Sequence, residues 1–490
     1  MASRLERITE QRLASLERIR ARGIDPYPRS YSPSHTLGEA IAAFEQQGES
    51  CPDMCLAGRI KSRRSMGRMS FLDIRDTSGK VQLSLRRDVL GEERYELLQD
   101  IDIGDFIGAE GKLYRTRSGE VTLEVSDLAV LCKSLRPLPE KWHGLTDVET
   151  RYRQRYLDLI ANEEPRHTFA LRSRVITAVR GFLNNQGFME VDTPVLQPQA
   201  GGALARPFVT HHHALDQDLY LRIALELHLK RLVVGGFDRV YEMGRVFRNE
   251  GISVRHNPEF TLLECYRAYS DYNDMMRLVE DMFAQVAREV LGTTKLTRDG
   301  VTIDFGLPWE KLQLREAVKA RCGIDIEDYP DAASLRTQMG EMRMDVEPDK
   351  GRGRLIDELL STFVEPNIMQ PTFLLDYPVD MSPLAKRKPG DDRFVERFEG
   401  FVAGMEVANA FTELNDPLEQ RERFVQQQRE RVADEEAEVA DEDFLEALEY
   451  GMPPTGGLGM GIDRMVMLLT NQQSIREVVL FPQLKTRIDS

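Results

Sequence analysis

The chain has 490 residues, enough for two or three domains at about 100 to 200 residues each. Its formal net charge of -16 excludes a wholly basic nucleic-acid coat, though not a basic face confined to one domain. The five cysteines form an odd set with no Cys-x-x-Cys pair, and no apolar run approaches the ~20 residues of a membrane span, so a reduced cytoplasmic setting away from membranes is expected.

Met1 to Arg22 reads as a basic helix. Leu5, Ile8, Leu13 and Leu16 supply its apolar stripe, Gly23 ends it, and Glu6, Glu10 and Glu17 exclude an acid-poor transit peptide. From about Met54 to Lys133 short strands predominate, near 56–60, 70–76, 81–85, 106–114 and 121–125, with turns at Thr77-Ser78-Gly79-Lys80 and Arg117-Ser118-Gly119-Glu120. Within Leu56 to Leu90 the basic residues Arg59, Lys61, Arg63, Arg64, Arg68, Arg75, Lys80, Arg86 and Arg87 face only Asp73, Asp76 and Asp88. Five strands with basic and aromatic residues interleaved suit a small barrel of the oligonucleotide-binding type.

A proline-marked linker follows at Leu135 to Gly144, and the texture then changes to longer helices and strands. Arg172 to Asn185 and Glu226 to Val234 read as helices and Asp218 to Ile223 as a strand. His211-His212-His213 is no metal site on this reading, because alternation leaves only His211 and His213 on one face and no third ligand stands nearby. A charged helical insertion is expected from about 270 to 365, and a solvated acidic helix from Asp434 to Glu449. The predicted division is 1–50 N-terminal helix and extension, 51–134 barrel, 135–150 linker and 151–490 catalytic domain, an α+β protein.

Two segments carry the chemistry. Phe247-Arg248-Asn249-Glu250, running on to His256-Asn257-Pro258-Glu259-Phe260, places an arginine, a carboxylate, a histidine and an aromatic around one loop, suited to a phosphate, an exocyclic amine and the face of a base. Gly457-Leu458-Gly459-Met460-Gly461-Ile462-Asp463-Arg464 is a glycine-rich run ending in a second arginine, where backbone approaches a ligand or a neighbouring strand closely. Together they predict a nucleotide held by two arginines. Glu399 and Glu406 are candidate ligands for Mg²⁺, hard oxygens brought together by a tight turn at Ala403-Gly404. Asn409, Phe411 and Glu413 alternate on one strand face and Glu264 with Tyr266 on another, as a pocket for a cationic side chain requires.

In this order the two segments resemble motifs 2 and 3 of the class II aminoacyl-tRNA synthetases, and Gly187-Phe188-Met189-Glu190-Val191-Asp192-Thr193-Pro194 resembles motif 1. The basic barrel points to the subgroup charging aspartate, asparagine and lysine. Arg151-Tyr152-Arg153-Gln154-Arg155-Tyr156, Leu232-Val233-Val234-Gly235-Gly236 and Asn409-Ala410-Phe411-Thr412-Glu413-Leu414-Asn415-Asp416 look like bacterial lysyl-tRNA synthetases, over about Arg12 to Lys485.

The resemblance implies an OB-fold anticodon-binding barrel and a catalytic domain built on an antiparallel sheet flanked by helices. It implies a homodimer joined around motif 1, with L-lysine, ATP and tRNA(Lys) as substrates and Mg²⁺ as cofactor. Arg248 would bridge the lysine carboxylate and the α-phosphate, and Arg464 would hold the far phosphates. Glu250, His256, Asn257, Phe260 and Glu399 would complete the ATP site. Gly202, Glu226, Glu264, Tyr266, Asn409, Phe411 and Glu413 would surround lysine. Phe71 would stack an anticodon base beside Arg64, Gln82 and Glu120. Two positions depart from the family: Leu225 and Ala200 stand where prolines are common. Relatives that lysylate a protein acceptor, or that have become silent nucleotide-binding regulators, are the alternative readings. The barrel argues against the first, and intact Arg248, Glu399, Glu406 and Arg464 against the second.

Overall fold

The computed structural model describes residues 3–139, 145–199, 201–203, 205–306, 308–348, 350–430 (backbone only for 427–430) and 441–485. Ala200, the end of the expected linker at 140–144 and the acidic residues 434–440 lie outside the described residues. The chain divides into two compact units, Met1–Asp147 with Tyr156–Ala161, and Val148–Arg155 with Asn162–Ser490.

In the first unit, strands β1 (Met54–Met66), β2 (Met69–Arg75), β3 (Lys80–Arg86), β4 (Phe106–Arg115) and β5 (Val121–Cys132) close into a barrel in the order β1-β2-β3-β5-β4. Period-two alternation sorts the side chains: Leu72 and Ile74 point inward with Leu83, Leu85 and Leu123, leaving Phe71, Asp73 and Arg75 half-exposed on the other face. Helix α1 (Arg4–Ala21) starts at a capping box between Ser3 and Glu6. Its buried side is Arg12, Ser15, Leu16 and Ile19, whereas Leu5 and Leu13 of the expected stripe are 45% and 42% exposed. The helix turns this way because the Arg12 guanidinium donates to the carbonyls of Ile103, Ser134 and Arg136, and Arg18 pairs with buried Asp100. Ile19, Leu37, Ala40 and Phe44 share one core with Leu56 and Leu83, so residues 1–50 are part of the barrel unit rather than a separate extension. The helix Arg155–Ala161, expected with the catalytic part, joins this unit largely too, and Lys61 Nζ donates to the Ile160 carbonyl at 2.6 Å.

The second unit is built on a nine-stranded sheet. Along its path lie Glu310–Gln313, Thr372–Pro378, Asp391–Val402, Met405–Thr412, Thr455–Gly461, Glu259–Ala268, Arg239–Phe247 and Met189–Glu190. The six central strands are antiparallel, as expected. Each edge adds a parallel strand, because Met189–Glu190 and Glu310–Gln313 reach their neighbours through helical crossovers rather than hairpins. One face carries Leu263, Cys265, Ala408, Ala410, Leu458 and Met460, covered by the helices Glu164–Asn185, Tyr272–Leu291 and Ile462–Leu469. Residues between them in sequence necessarily face the other side, where the site lies.

The expected insertion at 270–365 needs correction. Tyr272–Leu291 is a core helix whose Met275, Val279, Met282, Phe283 and Val286 are buried in the main core, and Glu310–Gln313 belongs to the sheet itself. Charge on the solvent side of that helix masked its amphipathic period. Only the helices Leu314–Cys322, Ala332–Glu341 and Arg352–Leu359, with their own core around Leu335, Leu355 and Leu359, form an added layer.

Candidate active site

The open face of the sheet bears a cavity of about 460 Å³, within the range of pockets that enclose a nucleotide-sized ligand. Arg248, Glu250, His256, Asn257, Phe260 and Arg464 line it, as do Gly202, Glu226, Glu264, Tyr266, Asn409, Phe411 and Glu413, with Glu226, Glu264, Tyr266 and Glu413 gathered into one acidic group. The first group comes from the loop between two hairpin strands, from the start of the strand Glu259–Ala268 (Phe260) and from the first turn of the helix Ile462–Leu469 (Arg464). The second comes mainly from alternate positions of the strands Glu259–Ala268 and Met405–Thr412, where 264 and 266, then 409 and 411, fall on the face opposite the core residues 263, 265, 408 and 410; Glu413 follows the second strand, Glu226 opens the helix Glu226–Val234 and Gly202 is in a loop.

Arg248 lies over the Phe260 ring, 5.2 Å from its centroid, and its Nε donates to the Ile223 carbonyl at 3.2 Å. Among the described residues no carboxylate comes within ion-pairing distance of it. Burial pulls its guanidinium below the ordinary range, opposed by Glu250 and Glu406. A desolvated cation without an anion of its own is a binding group for an anionic ligand. Arg464 is placed by its neighbour: Asp463 accepts from Arg172 Nη1 at 2.5 Å and from the Thr261 amide at 2.7 Å, which pins the turn from strand to helix. Arg464 Nη1 then reaches the Glu406 carbonyl at 2.8 Å and its Oε2 at 2.9 Å.

Partial burial, then Arg464, hold the His256 imidazole below its ordinary range, and Ser253 Oγ contacts its Nδ1 at 2.9 Å. The Asn257 amide is engaged within the fold, donating to the Glu259 carbonyl at 2.6 Å and accepting from the Gln483 amide at 3.3 Å. Its role there is to shape the loop around the cavity.

The pair Glu399 and Glu406 depends on two backbone devices. Ala403 and Gly404 both have positive φ, 52° and 66°, making the two-residue hairpin turn expected. In addition, pairing runs Glu399 to Asn409 and Gly400 to Ala408, then jumps to Phe401 with Glu406, leaving Val407 as an extra residue. This bulge re-aims the strand, so that Glu406, Asn409 and Phe411 are half-exposed toward the cavity while both Val407 and Ala408 are buried. Glu399 lies beside Arg397, accepting from its Nη2 at 2.6 Å. Burial and, against the pull of Arg397, the charge of Glu406 push the Glu399 carboxyl up to about 7. Two hard carboxylates that repel one another fit Mg²⁺, which is commonly bound by one or two carboxylates plus substrate phosphates. Among the described residues no cluster of three or more His, Cys, Asp or Glu makes a cage complete without a ligand.

At the acidic end Glu226, Glu264 and Glu413 are all buried. Glu264 accepts from the Leu225 amide at 2.9 Å and from the Tyr266 hydroxyl at 3.0 Å. Burial and the Glu226 charge push it up to about 7. Leu225 thus contributes a backbone donor that the family's usual proline lacks. Both oxygens of Glu413 are buried without a hydrogen-bond partner, as acceptors waiting for a ligand donor would be. Gly202 has φ +84°, and a side chain there would press on Ala224 and Glu226.

Two residues of the site escaped the sequence reading. Lys230 sits one helical turn beyond Glu226, and Arg397 two residues before Glu399 on the same strand face, so the i, i+4 and i, i+2 spacings were the available signals. Arg397 donates to the Met381 carbonyl, Ser382 Oγ and Asn409 Oδ1, and stacks on Tyr377 at 4.5 Å.

On the barrel, Arg64 pairs with Phe71 across β1 and β2, and Phe71 is half-exposed. Gln82 is buried, donating to Glu120 at 3.1 Å and accepting from Thr122 Oγ1 at 3.1 Å. The structure therefore brings Gln82 and Glu120 together, and Arg64 with Phe71.

Residues 147–485 match the family of tRNA synthetases class II (D, K and N), and residues 54–131 match the OB-fold nucleic acid binding domain. The chain belongs to the class II aminoacyl-tRNA synthetases. It is 58% identical to the lysine–tRNA ligase of Dehalococcoides mccartyi over 99% of both chains, 55% identical to that of Moorella thermoacetica over 97% of both, and 54% identical to that of Roseiflexus castenholzii over 99% of both.

Proposed function

We propose that this chain is a lysine–tRNA ligase, which activates L-lysine with ATP to lysyl-adenylate and transfers lysine to the 3' end of tRNA(Lys). The observation that carries the reading is the lining of one cavity, which combines buried Glu226, Glu264 and Glu413 with Arg248 and Arg464. An amino acid with two ammonium groups fits the first, and a carboxylate meeting a polyphosphate fits the second. The 50–58% identical relatives named lysine–tRNA ligase support the same substrate.

The reaction joins two anions, the lysine carboxylate and the α-phosphate, with pyrophosphate leaving. No protein nucleophile is needed; catalysis is alignment and neutralisation of charge. Arg248 holds the two reacting anions together, Phe260 and Glu250 receive the adenine, and Arg464 with His256 takes the distal phosphates. Glu399 and Glu406 would hold Mg²⁺, which when bound would supply positive charge against that developing on the leaving pyrophosphate. Glu413, Glu264 and Tyr266 face the ε-ammonium, Glu226 and the backbone at Gly202 the α-ammonium, and Asn409 the carboxylate.

The barrel presents Phe71 for stacking with an unpaired anticodon base, flanked by Arg64, Gln82 and Glu120. Met189, Val195, Leu196 and Phe237, apolar yet 38–46% exposed around motif 1, support a homodimer through that surface. Among the described residues no helix is long and apolar enough to cross a membrane; together with five free cysteines this supports action in the cytoplasm. The test is ATP–pyrophosphate exchange with each amino acid in turn, followed by charging of total tRNA. Lysine alone should support exchange and tRNA(Lys) alone should be charged; exchange with aspartate or asparagine, or lysine transfer to protein only, would overturn the reading.

A further inference from the structure

The acidic end of the cavity already contains an ammonium. Lys230 is fully buried, its Nζ 2.5 Å from Glu226 Oε1 and ion-paired with Glu413 Oε2. The rings of Phe411, Phe444 and Tyr266 surround it at 5.4, 5.8 and 6.0 Å. Glu226 and Glu413 are the two carboxylates assigned above to the two ammonium groups of the substrate, so one internal cation spans both subsites.

We propose that Lys230 is a positioning residue for amino-acid selection: a built-in ammonium that holds Glu413 and Glu226 in place and ionised before lysine arrives. The inference rests on the assignment of this end of the cavity to lysine. Its first support is geometric. Lys230 is ion-paired with Oε2 of Glu413 and not with Oε1; both oxygens are buried without a hydrogen-bond partner, so the cation fixes the carboxylate while its acceptor capacity stays available to a ligand. Gly457 leaves room for Oε1, since a Cβ there would meet it at 1.9 Å.

The second support is charge. The ionisable groups gathered here are Glu226 and Lys230 on one helix, Glu264 and Tyr266 on the strand Glu259–Ala268, and Glu413 just beyond the strand Met405–Thr412. Glu226 and Glu413 against one ammonium leave one negative charge, and Glu264, raised to about 7 by burial and Glu226, supplies a second when it gives up its proton to face the two ammonium groups of lysine, while the lysine carboxylate turns to Arg248. Burial holds Glu413 well above the ordinary carboxylate range, with Lys230 opposing and Glu226 adding to the shift, so Lys230 is the group that draws it back toward the ionised form; burial would lower Lys230, yet Glu226 and Glu413 together raise it. Without Lys230, Glu413 would lie buried next to Glu226 and Glu264 with no fixed cation, and a proton would replace the missing charge. A protonated Glu413 is a poor partner for an ε-ammonium.

The test is lysine-dependent pyrophosphate exchange by the full-length Lys230→Met variant, followed across pH 6 to 9. Relative to wild type, kcat/KM for lysine should fall by ~10-fold or more at pH 7. Its acid limb should move up by at least about one pH unit, so that the loss shrinks toward pH 9, with KM for ATP within about twofold. An unchanged profile, or a pH-independent loss in which KM for ATP rises equally, overturns the proposal. If Lys230→Met alone does not fold, Glu413→Gln is compared with the double variant Lys230→Met/Glu413→Gln, which restores the charge balance. Because Lys230 acts largely through Glu413, the two should agree within about threefold in kcat/KM for lysine, and a further ~10-fold drop in the double variant overturns the idea. Wild-type enzyme inactive with lysine would instead sink the substrate assignment on which the inference rests.

Discussion

Gly457 and Glu413 approach so closely that a Cβ on the glycine would stand 1.9 Å from Glu413 Oε1, and 2.6 Å from Cε1 of Tyr266. The glycine-rich run therefore belongs to the proposed amino-acid site as well as to the proposed nucleotide site. Gly457→Ala should displace Glu413 or Tyr266, with the backbone of two paired strands unable to yield. Expected is a rise of ~10-fold or more in KM for lysine, a loss above ~1.4 kcal/mol, with little change in KM for ATP. Steady-state exchange kinetics check it, and an equal rise in both constants would count against this division of the cavity.

Arg248→Ala removes a desolvated cation placed between the two reacting anions. Losing one such electrostatic donor typically costs ~10² to 10³ in rate. Pyrophosphate exchange should drop by that order while the circular dichroism spectrum and sedimentation of the protein stay unchanged. Near-normal exchange by a well-folded variant would relocate the active site.

Phe71→Ala on the barrel removes a stacking partner worth ~1 to 3 kcal/mol. Charging of tRNA(Lys) should weaken accordingly, and exchange, which involves no tRNA, should be nearly unaltered. An equal fall in both assays would make the ring a support of the fold rather than a reader of a base.

Glu264 gives a pH-dependent stability. Its carboxyl, raised from 4.5 to about 7 by burial and Glu226, keeps a proton in the folded chain that the unfolded chain releases across that interval. Stability from this group is therefore present below about 4.5 and is lost as pH rises through about 7. Glu264→Gln keeps the acceptor for the Leu225 amide and carries no charge, so its melting temperature relative to wild type should climb from pH 5 to pH 8. The difference is bounded by ~3 kcal/mol for the full shift. A pH-independent difference between the two ligand-free proteins would argue that Glu264 is ionised throughout.

Much of this protein was legible in its residues because the signals are local. Strand alternation placed Leu72 and Ile74 inside the barrel and put 264, 266, 409 and 411 on one side of a sheet, and the spacing around Arg248 and Arg464 picked out two segments that line one cavity. What alternation could not reveal was where it breaks. Glu406 and Asn409 differ in parity and still share the cavity because Val407 is the extra residue of a bulge, a feature set by pairing with Phe401 across the hairpin. The buried face of α1 was likewise decided by distant carbonyls at Ile103, Ser134 and Arg136, which make Arg12 more buried than Leu13. The helix Tyr272–Leu291 was read as part of an insertion because charge in its sequence hid how much of it is core. Residue types and spacings determined the class of chemistry; which carboxylate meets which cation, with Lys230 between Glu226 and Glu413 and Arg397 against Glu399, was decided only when strands and helices remote in sequence packed together and buried these groups side by side.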